Sequence, residues 1–325
     1  MNSTQYQEKI LSNFNFQLSE FLPYKNAEVC ERVRNIDKKD ICSHPNKNFS
    51  IRIIEDQTAF SFAFQLDIVS GIKRSLEEGR EYIIILPAPN PQYAFAAEMI
   101  NKLGISCKHV HTFNMDEYAN ENGKTAPRDW KGGFQYWMWN DLFGRINPDL
   151  RMKESNIHFP DDKNVDSYSS MLDDLGGADV CYGGIGWCGH IAFYEPHYGN
   201  DYIDNIEGYL ELGSRMVEIS PITMCQNSLF SDAGCAGDIS SCPPMAATIG
   251  PRDLKNSKLV SFWDGFSYGD VSWQRFISRL AAHGPVTPLV PASILQIMNS
   301  ELILSGIVAD NCNSELGERR TKIEF

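Results

Sequence analysis

Tyr82-Ile83-Ile84-Ile85-Leu86 is an unbroken apolar run. A strand with one wet face alternates apolar and polar side chains, so a run with no polar break needs cover on both faces. That is the condition of a strand in a parallel sheet packed between helices. The run ends in Pro87-Ala88-Pro89-Asn90-Pro91, and a helical pattern follows from Tyr93 to Leu103. Upstream, Ser50-Ile51-Arg52-Ile53-Ile54 reads as a strand, and Thr58 to Glu78 carries apolar residues at three-and-four spacing, the mark of an amphipathic helix. Downstream, His109–Phe113 leads to Asn114-Met115-Asp116-Glu117-Tyr118, and Asp179–Tyr182 leads to Gly183-Gly184-Ile185-Gly186. Leu259–Trp263 leads to Asp264-Gly265, and a last strand is expected over Leu302–Val308. Short apolar strands separated by helical stretches predict an α/β domain with a mainly parallel sheet. In such sheets the ligand crevice lies at the carboxyl ends of the strands, which groups Ala88–Pro91, Asn114–Tyr118 and Gly183–Glu195 around one site. Residues 1–49 read as a polar, partly helical N-terminal extension and 50–325 as the domain proper.

Composition narrows the function classes. The chain has 325 residues, 42% of them hydrophobic, with 18 Phe, 13 Tyr and 6 Trp, too much apolar surface for a disordered chain. No stretch approaches the roughly 18 apolar residues of a membrane span. Net charge is −13, so the surface repels a phosphate backbone, and neither nucleic acid nor membrane is an expected partner. The nine cysteines form no C-x-x-C pair. Their irregular spacing fits a reducing, cytoplasmic setting better than a disulfide scaffold or a zinc site, and no metal or cofactor is expected.

Two segments carry chemistry. In Gly183-Gly184-Ile185-Gly186-Trp187-Cys188-Gly189-His190, four glycines in seven positions permit close backbone approach to a ligand. His190 follows them, five residues before Glu195, and a histidine beside a carboxylate can act as an oriented general acid or base. The same pattern fits a tight turn carrying a hydrogen-bonded structural histidine. In Phe113–Tyr118, the adjacent acids Asp116 and Glu117 could supply a base, one pointing inward and the other away. Taken alone, the segment is read more readily with Asp116 as the cap of the next helix.

Together the two segments resemble the glucosamine-6-phosphate deaminase/isomerase family, which shares its fold with 6-phosphogluconolactonases. The family stretch T-F-N-M-D-E-Y is present unbroken as Thr112 to Tyr118. Its G-G-[IV]-G-x-D-G-H-I-A-F-N-E-P is matched from Gly183 to Pro196 except at Cys188 and Tyr194. Weaker likeness runs from about Ser50 to Asp310, including Asn227-Ser228-x-Phe230 and Leu295-Gln296. The resemblance implies a Rossmann-like three-layer α/β/α sandwich and an aldose–ketose isomerisation coupled to loss of the amino group as ammonia. It implies Asp116 as the carboxylate that moves a proton between C1 and C2, and His190 as the group assisting ring opening. Glu195 would match the glutamate that, with an aspartate, orients that histidine. Ala88, Asn90, Glu117, Gly184, Gly186, Cys188 and Gly189 would contact the sugar or sugar phosphate. A homo-oligomer is left open.

The departures concentrate in the site. Cys188 stands where the family has the aspartate, and a neutral thiol is a weak acceptor. The family phosphate loop L-P-T-G-G-T-P becomes Leu86-Pro87-Ala88-Pro89-Asn90-Pro91-Gln92. Pro89 and Pro91 have no N–H and Ala88 no hydroxyl, so much of the anion chemistry is gone. Met224 replaces an expected arginine, and no Lys or Arg occurs between Lys258 and Arg275. Arg215 is the candidate for one basic residue of the family's allosteric site, but Val217 stands where a lysine is expected. The aromatic stretch Trp130, Phe134, Tyr136, Trp137, Trp139 and Phe143 is expected to pack mostly beneath a lid, and the acidic segment 198–211 to form a solvated loop. Retained Asp116, His190 and Glu195 favour an isomerase or deaminase. Cys188 and the proline loop favour a sugar-binding or sensor protein with impaired turnover. A lactonase fits the Asn114–Tyr118 stretch less well.

Overall fold

The computed structural model describes residues 16–230, 234–269 and 271–312. The described residues form ten strands: β1 Phe49–Ile54, β2 Tyr82–Leu86, β3 Val110–Asn114, β4 Asp116–Ala119, β5 Ile157–His158, β6 Val180–Gly183, β7 Arg215–Glu218, β8 Met245–Thr248, β9 Leu259–Asp264 and β10 Ser300–Ser305. Seven form the central sheet in the order β1-β10-β9-β6-β2-β3-β5, every pair parallel. The apolar run that opens the argument sits at its middle, with every side chain of β2 buried.

Two cores flank the sheet. Ile83 and Ile85 point into one, with Tyr168, Leu172, Ile277 and Leu280 from covering helices. Tyr82, Ile84 and Leu86 point into the other, with Phe64, Ile68, Tyr93 and Ile100 from the helices Gln57–Glu78 and Tyr93–Leu103. Each fully buried aliphatic side chain contributes about 1.5–3 kcal/mol. This is the three-layer α/β/α arrangement expected. Both helices end on glycines in the left-handed region, Gly79 (φ 67°) and Gly104 (φ 62°).

Three expectations need correction. The last strand stops at Ser305, and Gly306–Ala309 turns into a helix capped by the Ser305 hydroxyl, which accepts from Val308 N. Asp116 does not cap a helix: Asp116–Ala119 is a strand in a second, antiparallel sheet of order β4-β8-β7, with Asp116 opposite Thr248. The acidic segment 198–211 is not simply a solvated loop, because Tyr209 is fully buried and its ring meets those of Tyr194 and Tyr202. On the N-terminal side, the helix Ala27–Arg34 is capped by Asn26 and sends Val33 into the same core as Ile41 and Phe49. No helix of the described residues is long and apolar enough to cross a membrane.

Candidate active site

At the carboxyl ends of β2, β3, β6 and β9 lies a cavity of about 250 Å³, lined by Ala88, Asp116, Gly184, Gly186 and His190 among others. Asp116 enters because β4 begins immediately after the sheet strand β3, so one residue separates the central sheet from the second one. The residue is 5% exposed, and its buried Oδ1 has no hydrogen-bond partner. Burial, and then the neighbouring Glu117 charge, push its pKa well above the usual carboxylate range.

Glu117 behaves differently. Strand alternation turns it to the other side, where Oε1 accepts from the backbone N–H groups of Tyr118 (2.9 Å) and Phe134 (3.0 Å) and Oε2 from that of Gln135 (2.6 Å). The carboxylate thereby satisfies the N-terminus of the helix Phe134–Asp141. Burial raises its pKa to about 7 against the pull of these three bonds. Both acids are buried, then, and the one that turns away from the cavity faces a helix end rather than solvent.

His190 stands across the cavity. The loop before it closes through Gly189 N to Gly186 O (2.8 Å) and Gly186 N to His190 O (3.1 Å). A Cβ on Gly186 would lie 1.9 Å from His190 Nε2, so only glycine lets the imidazole sit there. Gly189 holds φ +86°, a left-handed conformation disfavoured for other residues. Just beyond, Ala192 also lines the cavity with φ 52°, an unusual conformation of the kind that accompanies functional sites.

Behind the imidazole runs a buried chain. His190 Nδ1 is 3.0 Å from Thr223 Oγ1 and 3.2 Å from Cys188 Sγ. The thiol donates to Glu195 Oε2 at 3.3 Å, and Glu195 also accepts from Ser220 Oγ (2.9 Å) and Ser220 N (3.1 Å). Glu195 therefore has no direct hydrogen bond to the histidine it was expected to orient; Cys188 and Thr223 touch it instead. Burial lowers the His190 pKa, opposed by the Glu195 charge, while burial and then Glu195 raise the Cys188 thiol well above its usual value. The thiol thus stays protonated between carboxylate and ring. Cys188, His190 and Glu195 could also hold a metal, their ligand atoms lying within 4.8 Å of one another, but each is already engaged in this network.

The proline loop forms another wall. Pro87, Ala88 and Pro89 line the cavity, whereas Asn90 lies in an adjoining one. Asn90 is occupied by its own turn: Oδ1 accepts from Gln92 N (2.9 Å) and its carbonyl from Tyr93 N (2.9 Å). Ala94 N and Phe95 N are likewise bonded within the turn, to Pro91 and Gln92 carbonyls. The first N–H groups of the helix Tyr93–Leu103 are thus already satisfied and do not point free donors at an anion. Met224 packs against the cluster of Tyr118, Phe193 and Val217. Of the aromatic stretch, Phe134 reaches the cavity, Phe143 packs in the core and Trp139 packs against it. No Lys or Arg is among the described residues lining the cavity.

Several site residues were given no role from sequence. Thr223 and Ser220 belong to the start of the helix Pro221–Phe230, and the Ser-Pro pair is a recognisable helix-entry signal. Asp264, fully buried at the end of β9, accepts from Ile185 N (2.8 Å), Ser278 Oγ (2.6 Å) and Gln274 Nε2 (3.2 Å), fastening the glycine loop to the sheet. Burial raises its pKa to about 7. Asn227 Nδ2 donates to Tyr118 OH (2.8 Å), and Gln226 Oε1 accepts from Trp187 N (2.6 Å).

No protein-family model matches the chain. Among curated proteins, the glucosamine-6-phosphate deaminase of Caenorhabditis elegans is 30% identical over 202 residues, covering 59% of this chain and 67% of the relative. That of Drosophila melanogaster is 30% identical over 190 residues, covering 56% and 61%. Glucosamine-6-phosphate deaminase 2 of Homo sapiens is 32% identical over 162 residues, 48% of this chain and half of the relative. The chain therefore spans between half and two thirds of these relatives. Among solved structures, a monomeric glucosamine-6-phosphate deaminase of the NagB superfamily aligns with a TM-score of 0.64 at 20% identity, over 80% of this chain and 98% of that one. The 6-phosphogluconolactonase of Thermotoga maritima aligns with a TM-score of 0.56 at 17% identity, over 79% and 99%.

Proposed function

The chain belongs to the glucosamine-6-phosphate deaminase family, and on that premise we propose that it is a cytoplasmic aldose–ketose isomerase/deaminase acting on an amino sugar held without the family's phosphate grip. The observation that carries this reading is the pairing of Asp116 and His190 across one cavity that no Lys or Arg lines among its described residues. His190 passes a proton to and from the ring oxygen as the sugar opens. Asp116 takes the proton from C2 and returns it to C1. As the C1 oxygen gains a proton and the amine gives one up, the C2–N bond becomes an imine, which water hydrolyses to the ketone and ammonia. A carboxylate with a raised pKa is a stronger base than an ordinary one, which suits removal of a carbon-bound proton. Asp116 Oδ1, buried and unpartnered, is not already committed to another residue.

A second reading, a sugar-binding or sensor protein with impaired turnover, is favoured by one observation. The group between Glu195 and His190 is a protonated thiol, so no carboxylate bonds directly to the imidazole to stabilise its charged form. A thermal-shift screen of phosphorylated and unphosphorylated amino and neutral sugars, followed by an ammonia-release assay on the hits, separates the readings. The enzyme reading expects an unphosphorylated amino sugar to raise the melting temperature and to release ammonia. Stabilisation without ammonia release supports the sensor, and stabilisation by phosphosugars alone contradicts the proposed loss of the phosphate grip.

A further inference from the structure

On the far side of Ala88 from His190, the catalytic cavity adjoins a second one of about 370 Å³. It is larger than the cavity that holds Asp116 and His190, at about 250 Å³. The two share Pro87, Ala88, Gly184, Phe266 and Gln274 along their common edge, so a ligand can extend from one into the other. The second cavity has two kinds of wall. Aromatic rings come from Phe60, Phe64 and Trp263, and neutral hydrogen-bonding groups from Gln57, Ser61 and Gln92. None of its described lining residues is charged. Arg52 lies over the Trp263 ring with Nε 3.9 Å from Glu301, and it is not a lining residue.

The wall itself decides what kind of ligand fits. Tyr93 OH and Gln57 Oε1 have no hydrogen-bond partner, but both atoms are sealed beneath the wall, out of reach of a ligand in the chamber. Gln57 Nε2 is spent on the Gly265 carbonyl at 2.7 Å. An anion would meet no charged partner here, and a hydrocarbon would leave the neutral polar groups of Ser61 and Gln92 without one. A hydroxyl-bearing ring meets those groups and lays its apolar face on the aromatic wall.

We propose that this chamber binds an uncharged second sugar ring, so that the substrate is an amino-sugar disaccharide whose reacting unit lies between Asp116 and His190. The inference rests on the sugar-converting reading of the site and extends it to the substrate's far end. The size of the chamber agrees, since a space larger than the one assigned to the first ring accommodates another.

Isothermal titration of the full chain with glucosamine, glucosamine 6-phosphate, and the 1→4- and 1→6-linked disaccharides of glucosamine tests this. At least one disaccharide is expected to bind about tenfold more tightly than glucosamine. Ser61→Trp, which fills the chamber from a partly exposed helix position, should erase that gain and leave glucosamine affinity unchanged. Gln92→Ala, which removes a neutral hydrogen-bonding side chain from the wall, should reduce the gain several-fold. Equal affinity for mono- and disaccharides, tighter binding of glucosamine 6-phosphate, or parallel loss of both ligands in Ser61→Trp would overturn the proposal. Glucosamine bound and deaminated with no disaccharide gain refutes the chamber and leaves the catalytic reading standing. Failure of all four ligands to bind removes both.

Discussion

The two ends of the sugar cavity differ in kind. At the reacting end, Asp116 and His190 are held by the unbroken Thr112–Tyr118 strand exit and by a glycine loop that accepts no side chain at Gly186. At the other end, the loop Pro87–Pro91 carries three prolines without N–H groups and no hydroxyl side chain, and the helix that follows spends its first donors on its own turn. Proton transfer demands a fixed relation between base, acid and carbon, and a small displacement there is costly. Anchoring the remote end of a substrate can be done by an anion cradle or by a neutral pocket. On the proposed reading, the difference teaches that chemistry and recognition sit in separate strand-exit loops of this fold, so one can change while the other is kept.

The sharpest way to break that comparison is at the reacting end. Asp116→Asn keeps size and polarity but removes the base, and turnover is expected to fall by about 10²–10⁴-fold with ligand affinity retained. A steady-state assay beside a titration checks this, and a variant within twofold of its parent would return Asp116 to a structural role. Next in size is Gly186→Ala. Its methyl group would fall on His190 Nε2, and displacement of the imidazole is expected to cost about 10²-fold in turnover. Circular dichroism should show the fold intact, because the atoms nearest the added methyl group all belong to the His190 ring rather than to a core side chain.

Smaller effects sharpen the account. Because burial raises the Asp116 pKa and the carboxylate is the active form, activity should rise with pH through a midpoint above the ordinary carboxylate range. A pH–rate profile with its acid limb near the usual aspartate value would show that Asp116 is not the base. Cys188→Asp places a charge beside the imidazole, so the His190 pKa is expected to rise and ring opening to quicken. It should not create efficient glucosamine 6-phosphate turnover, since the far end stays uncharged. Histidine resonances followed by NMR through a pH titration report the first part, and an unchanged pKa would contradict the observed thiol–imidazole contact. Smallest is Glu117→Gln, expected to alter turnover by less than about twofold because that carboxylate serves the helix Phe134–Asp141.

What the sequence made legible follows the range of the interactions. Tyr82–Leu86 and the glycine run are local signals: burial on both faces and close backbone approach each leave a mark within a few residues. Tyr93–Leu103 ends where its glycine places it. The roles of Glu117 and Glu195 were not legible, because they depend on partners distant in the chain. Glu117 finds its donors at Phe134 and Gln135, and Glu195 finds Ser220. Thr223 is 33 residues from the histidine it touches, and nothing in the spacing marks that pair. The burial of Tyr209 was hidden by the acids around it, although the tyrosines at 194, 198, 202 and 209 are an apolar signal within an acidic segment.

The central claim is that Asp116 moves a proton between C1 and C2 of an amino sugar that is not gripped by phosphate. Proton NMR of glucosamine incubated with the protein in heavy water reads that step directly, whether or not ammonia is released. The account predicts loss of the carbon-bound proton signal with the parent protein, no loss with Asp116→Asn, and exchange of glucosamine at least as fast as that of glucosamine 6-phosphate. Exchange undiminished in Asp116→Asn, or confined to the phosphorylated sugar, would contradict it.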